Sequence, residues 1–216
     1  MNALLTGFEP FGGEAINPSW EVARALHGQV IAGTTVHACR LPTRFDAAPR
    51  ALAQALDDVQ PVVVIALGLA SGRAEISIER VAVNLIDARI ADNAGARPQD
   101  RLVCDDAPAA YFSTLPVKAM RNGLRSAGHP AGLSLSAGAF VCNALFFELQ
   151  HRLAGSGVRS GFIHLPALPE QAARSVPVVP SMGLAAQIDA VRLAIAVALA
   201  GDDVRAQGAD EGAPVS

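Results

Sequence analysis

The chain has 216 residues, 51% hydrophobic and 17% charged, with a formal net charge of −3 at pH 7, a length that fits one substantial core-forming domain. Lys118 is the only lysine and the arginines are scattered, so the basic block that marks a nucleic-acid binder is missing. Cys39, Cys104 and Cys142 are odd in number and far apart, with no C-x-x-C pair and no histidine at zinc-ligand spacing; this argues against a disulfide framework or a zinc site and for a reducing compartment.

Met1 to Gly7 lacks the charged and long apolar regions of a signal peptide, so a cytoplasmic protein is expected. Ala3 to Thr6 reads as a first buried strand, followed by the glycine- and proline-containing loop Gly7 to Gly13. Asn17-Pro18-Ser19 opens a helix whose apolar stripe is Trp20, Ala23 and Leu26. A second strand is expected from about Val30 to Leu41, ended by Pro42. Pro49 to Val59 then has helical spacing through Leu52, Ala55 and Leu56. Val62 to Leu67 is an unbroken apolar run, as in a central strand buried on both faces, and it ends in the flexible loop Gly68 to Gly72.

Between Glu75 and Ile90, Ile76 and Ile78 alternate on even positions, then Val81, Val83 and Leu85 on odd ones. The strand phase therefore slips at Glu79-Arg80. A bulge or strand break there would re-aim a side chain, and bulges gather near active sites; a simple bend between two strands fits the pattern equally. Ala91 to Gly95 is a turn, and the chain to Pro108 is irregular. Pro116 to Ala127 is a helix through Val117, Met120 and Leu124, and Gly132 to Leu135 is a short strand. The turn Ser136 to Phe140 leads into a helix through Val141, Leu145 and Leu149, and Gly161 to Leu165 is a strand stopped by Pro166. In the final helix, Met182 to Leu199, the polar groups Gln187, Asp189 and Arg192 predict docking on a core rather than membrane insertion. One α/β domain over 1–200 and a flexible acidic tail over 201–216 are expected. Strands alternating with helices predict an α/β/α sandwich with a central mixed, largely parallel sheet, and functional groups collecting at strand ends.

Cys142 falls in the first helical turn, where unpaired N–H groups and the positive dipole end lower a thiol's pKa. It reads as a nucleophile, set against the small buried hydrophobe that most free cysteines are. A thiol nucleophile needs a base, itself oriented by a third group. His27 and His151 fall near helix ends, His129 precedes a proline and His37 lies in an ordinary strand; His164 alone sits in an apolar strand close to a proline stop. It is the candidate base, with a satisfied structural histidine as the alternative. Glu79, singled out by the phase slip, is the carboxylate best placed to orient it, or else a surface group beside Arg80. The loop Gly7 to Gly13 has neither G-x-G-x-x-G spacing nor G-K-[ST], which leaves little for a nucleotide site.

The blocks Gly7-Phe-Glu-Pro-Phe-Gly-Gly13, Asn17-Pro-Ser-Trp20, Glu79-Arg-Val-Ala-Val-Asn84, Asp87-Ala-Arg-Ile90, Asp92-Asn93, Ala137-Gly-Ala-Phe-Val-Cys-Asn143, Gly161-Phe-Ile-His-Leu-Pro166 and Leu168-Pro-Glu-Gln171 occur in this order. Together they resemble the pyrrolidone-carboxylate peptidase family, the type I pyroglutamyl peptidases, over about Leu4 to Gln171. The resemblance implies a cysteine exopeptidase that removes N-terminal pyroglutamate from peptides without a metal or organic cofactor. It implies Cys142 as nucleophile, His164 as general base and then acid, and Glu79 as the carboxylate that orients the imidazole. It also implies a lactam pocket in which Phe8 and Phe11 flank the ring and Ile90, Phe140 and Val141 close an apolar slot. The oxyanion would take the Cys142 N–H, with Arg89 a candidate contributor, and the protein would be a homo-oligomer, tetramer or dimer. A pocket with no carboxylate would disfavour ordinary charged N-termini, whose ammonium would be buried unpaired.

Three positions depart from the family pattern: Leu69 where many members have glutamine, Ser71 where a second glycine is common, and Ala91 where proline is common. Leu69 matters if the family contact there uses the side-chain amide, and it keeps open an altered-specificity or non-catalytic relative that binds cyclic amides or peptides.

Overall fold

A computed structural model describes residues 1–200; the expected tail, 201–216, lies outside the described residues. Nine strands and six helices are formed there: β1 Asn2–Phe8, α1 Pro18–Leu26, β2 Val30–Ile31, β3 Thr34–Leu41, α2 Ala48–Val59, β4 Val63–Leu69, β5 Ile76–Glu79, β6 Val81–Val83, β7 Ala110–Phe112, α3 Val117–Ser126, β8 Ala131–Ser134, α4 Val141–Leu153, β9 Arg159–Leu165, α5 Pro169–Ala172 and α6 Leu184–Ala200. Seven strands make the central sheet in the order β2-β3-β1-β4-β9-β5-β8. The β3, β1, β4 and β9 strands are mutually parallel, β5 and β8 are parallel to each other, and β5 runs antiparallel to β9. The fold is α/β with a mixed, mostly parallel sheet, as expected.

The apolar runs are continuous because both sheet faces are covered. On one face Leu5, Ile65, Leu67, Ile76, Ile78 and Ile163 pack with residues of α1, α3 and α6. On the other, Leu4, Phe8, Val64, Ala66 and Phe162 pack with residues of α2 and α4. Each fully buried Leu, Ile or Phe side chain contributes about 1.5–3 kcal/mol relative to exposure. The last helix docks as expected, burying Gln187, Ala190, Val191, Ala194, Ile195 and Ala198, with Gln187 donating to the Pro166 and Met182 carbonyls. Among the described residues no helix is long and apolar enough to cross a membrane.

One expectation is revised and one open alternative is decided. The single strand from Val30 to Leu41 is a hairpin: Val30 pairs with Thr35 and Ile31 with Thr34 across a two-residue turn in which Ala32 and Gly33 both have positive φ (46° and 75°). Such a turn normally shows Asn or Asp before the glycine, and alanine there hides it. The phase slip at Glu79-Arg80 is a strand break. Glu79 ends β5 in the central sheet, while Val81 begins β6, which pairs with β7 in a separate two-stranded sheet. Arg80 is the crossing residue, donating its N–H to the Ser134 carbonyl and accepting at its own carbonyl from the Ser113 N–H. The β7 strand and the four-residue α5 lie in stretches with no periodic signal.

Candidate active site

His164 lies one residue before the end of β9, beside Gly68 of β4 in register and opposite Ser77 of β5. Glu79 pairs with Phe162 across the same ladder. Side chains directly opposite in an antiparallel pair share a face, so Glu79 and His164 both project towards α4. The imidazole Nδ1 and Glu79 Oε1 are 2.8 Å apart, with the histidine 5% exposed and the glutamate fully buried. Burial pushes the Glu79 carboxyl up, but the hydrogen bond and charge of His164, followed by contributions from Ser134 and Arg73, outweigh it and hold the group below its ordinary value. An ionised Glu79 makes Nδ1 the protonated nitrogen and leaves Nε2 as the free base.

Cys142 enters from the other side, at the second position of α4. Gly138, at φ +80°, turns the chain into that helix, and the N-cap position, Phe140, supplies no side-chain cap. The first N–H groups of α4 are therefore available to a ligand carrying negative charge. Asn143 is fully buried and fixes the height of this helix end: its side chain accepts from the Val83 N–H at 3.0 Å and donates to the Val83 and Leu85 carbonyls at 2.9 and 3.0 Å. The break after Glu79 thus delivers β6 to the residue that anchors Cys142. The thiol rests over the end of β4, where a Cβ built on Gly68 would lie 3.0 Å from Cys142 Sγ and 2.8 Å from Phe162 Cζ. Only glycine leaves room for sulfur there.

Burial pushes the Cys142 thiol up to about 12, assisted by the charge of Glu79; its own backbone N–H and Arg73 pull the other way and do not prevail. The thiolate-favouring effect expected of the helix start is present beside this opposing desolvation, and a thiol held above its ordinary value needs a base to take its proton. Burial also raises Cys39, and burial together with Glu148 raises Cys104 to about 11.

Cys142 and His164 line one cavity of about 580 Å³, with Leu69, Ser71, Arg73, Asp87, Arg89, Ile90 and Phe140 among its other walls. Of the residues expected in a lactam slot, Ile90 and Phe140 line this cavity directly. Phe11 packs on the Phe140 ring at a centroid distance of 5.3 Å, while Phe8 and Val141 are buried in the core behind it. Phe45 also meets Phe140, edge-on at 5.2 Å; its place in the loop between β3 and α2 carried no sequence signal. Asp87 is a carboxylate where none was expected. It is exposed, and Arg73 and Arg89 share the cavity with it, so the site offers no net negative charge. Arg73 was missed as well: it donates to Glu79 Oε1 at 2.8 Å and to the Ser136 carbonyl at 3.2 Å.

A thiol at an uncapped helix start, an imidazole hydrogen-bonded to a buried carboxylate, and an adjoining apolar slot can together perform acyl transfer through a cysteine. The sequence profile described as pyroglutamyl peptidase matches residues 1–201. The chain belongs to the pyroglutamyl peptidase family. It is 54% identical to a pyrrolidone-carboxylate peptidase of Cupriavidus taiwanensis over 95% of this chain and 96% of that protein. With one of Yersinia pestis it shares 52% identity over 91% and 92%. The crystal structure of pyroglutamyl peptidase I from Bacillus amyloliquefaciens superposes with a TM-score of 0.90 at 39% identity, covering 94% of this chain and 98% of that one. A mutant pyrrolidone carboxyl peptidase from the hyperthermophile Pyrococcus furiosus does so at 0.90 and 44%, covering 93% and 99%. As a pyroglutamyl peptidase family member the chain is a peptidase, hence a hydrolase.

Proposed function

We propose that the protein hydrolyses the amide bond after an N-terminal pyroglutamyl residue, releasing 5-oxoproline, through Cys142, His164 and Glu79. The observation that carries this reading is the 2.8 Å bond between His164 and the buried Glu79, in the same cavity as a cysteine seated over Gly68. His164 Nε2 takes the thiol proton as Sγ attacks the carbonyl carbon, and Glu79 stabilises the imidazolium that forms. The oxyanion is received by the first N–H groups of α4, that of Cys142 among them, with Arg89 at the cavity wall as a further donor. Imidazolium returns its proton to the leaving amine as the C–N bond breaks, leaving a thioester on Cys142. His164 then deprotonates a water that hydrolyses the thioester, which frees 5-oxoproline and restores the thiol.

The slot around Ile90 and Phe140, backed by Phe8, Phe11 and Val141, suits a compact neutral ring. An ordinary N-terminus would bring an ammonium into a cavity with no net negative charge. Leu69 presents an apolar side chain to the same cavity and is compatible with a lactam held through main-chain groups. Peptides with N-terminal pyroglutamate are the substrates on this reading. A homo-oligomer is part of this reading through the family likeness, and three free cysteines support a reducing, cytoplasmic compartment. The test compares pyroglutamyl and prolyl aminocoumarin amides, which share ring size but differ in the lactam carbonyl and the charge on nitrogen. Turnover of the pyroglutamyl amide should exceed the other by about 10³-fold or more in kcat/KM; equal turnover would remove the proposed specificity.

A further inference from the structure

We propose that Arg73 is a positioning residue for this site, fixing the Glu79 carboxylate in place and linking it to the turn that presents Cys142. The inference rests on the roles given above to Cys142, His164 and Glu79. Arg73 joins the end of β5 to the turn before α4. One guanidinium nitrogen donates to Glu79 Oε1 at 2.8 Å, the oxygen that also meets His164; the other donates to the Ser136 carbonyl at 3.2 Å. Ser136 begins the turn that runs through Gly138 to Phe140 and into α4. The planar fork of arginine makes both bonds at once, which the single ammonium of lysine cannot do with the same geometry.

The loop that carries Arg73 is itself fixed to the site. The Ala70 N–H donates to the Leu165 carbonyl at 2.9 Å, next to His164, and the Arg73 N–H closes a turn onto the Ala70 carbonyl at 3.3 Å. The guanidinium is one-third exposed while its carboxylate partner is fully buried, so Arg73 is the route by which buried negative charge is neutralised from the cavity side. Glu79 Oε2, in contrast, has no hydrogen-bond partner among the described residues, so Oε1 carries the bonds to both His164 and Arg73. Without Arg73 the carboxylate keeps only the His164 bond at Oε1 and is free to rotate away from the turn before α4.

The consequence reaches the thiol. The groups facing His164 are Glu79 of β5, Cys142 of α4, and Arg73, Asp87 and Arg89 around the cavity. Arg73 is a cation in direct contact with the imidazole's anionic partner. Removing it deepens the negative potential at Cys142, so the thiol binds its proton more tightly. The acid limb of kcat/KM and the alkylation profile both report the proton-transfer groups of the site. That limb must move to higher pH when Arg73 is lost.

The experiment uses the full chain with Arg73→Gln and Arg73→Lys, and it reads kcat/KM against pH on a pyroglutamyl aminocoumarin amide. In parallel, the rate of iodoacetamide alkylation at Cys142 is followed against pH by peptide mass mapping, which needs no turnover. Arg73→Gln should lose about 10–100-fold in kcat/KM, shift the acid limb up by about one pH unit, and alkylate several-fold more slowly at neutral pH. Arg73→Lys, which keeps the charge and loses the fork, should leave the limb near wild type while recovering only part of the rate. Wild-type activity in Arg73→Gln, or a loss matched by a smaller folded fraction with both pH profiles unmoved, overturns the proposal. If the wild-type protein does not turn over the amide, the functional reading fails, and the alkylation profiles still decide the placement of Arg73.

Discussion

Gly68→Ala isolates the geometry of the nucleophile from its chemistry. A Cβ at that position would lie 2.8 and 2.9 Å from two ring carbons of Phe162 and 3.0 Å from Cys142 Sγ. Ordinary contacts of this kind are about 3.5–4.0 Å, so the ring or the sulfur must retreat by about 0.5–1 Å. Phe162 is fully buried against Phe146, at 5.8 Å between centroids, and against His164, at 4.8 Å. The ring cannot move without disturbing the imidazole, so both ways of relieving the clash displace a reacting group. Overpacking of this size costs about 1–3 kcal/mol, which lowers Tm by about 2–12 °C in a chain of this length. Displacement of sulfur or imidazole by up to an ångström lowers kcat/KM by up to about 100-fold. The assay is kcat and KM on a pyroglutamyl amide beside a thermal melt, at a temperature where the variant stays folded. A folded Gly68→Ala protein with wild-type kcat would refute the placement of Cys142 Sγ over the end of β4.

Asn143→Ala removes three side-chain hydrogen bonds to the backbone of Val83 and Leu85 and should destabilise by about 2–4 kcal/mol in urea unfolding, with catalysis falling further than the folded fraction. Glu79 has a folded pKa below its ordinary 4.5, so its contribution to stability is present above that value and is lost as pH falls through the folded one. Glu79→Gln should therefore give a flatter unfolding free energy below about pH 4.5 than wild type, together with a loss of about 10³-fold or more in kcat. The Cys142 thiol is raised from 9.0 to about 12; its contribution is present below the unfolded value and is lost as pH rises through the folded one. Stability should then fall more steeply in wild type than in Cys142→Ser between about pH 9 and 10.5, and equal slopes would speak against a thiol held above its ordinary value.

Patterns of burial made most of the framework legible. Val62 to Leu67 announced a strand covered on both faces, and Asn17-Pro18 announced a helix start; Asn17 does accept from the Ser19 N–H at 3.1 Å. What stayed hidden were features set by partners rather than by local pattern. The β2–β3 turn was masked by alanine in a positive-φ position. The three-residue β7 exists because β6 needs a neighbour once the chain leaves the main sheet at Arg80. At the site, the phase slip pointed to Glu79 because a strand break has a local signature, and Cys142 and His164 were visible as residues at element ends. Arg73, Phe45 and the bridging side chain of Asn143 act across about 60, 95 and 60 residues of sequence respectively, as judged from their partners Ser136, Phe140 and Val83. No periodicity reports such contacts. The environment of Cys142 is only partly legible for a related reason: a helix terminus is visible in sequence, whereas desolvation by tertiary packing is not.

The most direct test of cysteine catalysis is hydrolysis of a chromogenic pyroglutamyl amide by wild type, by wild type alkylated at Cys142, and by Cys142→Ala. Wild type should turn over, and the other two should fall by at least about 10³-fold while keeping their fold by circular dichroism. Turnover by Cys142→Ala at the wild-type rate would contradict the account.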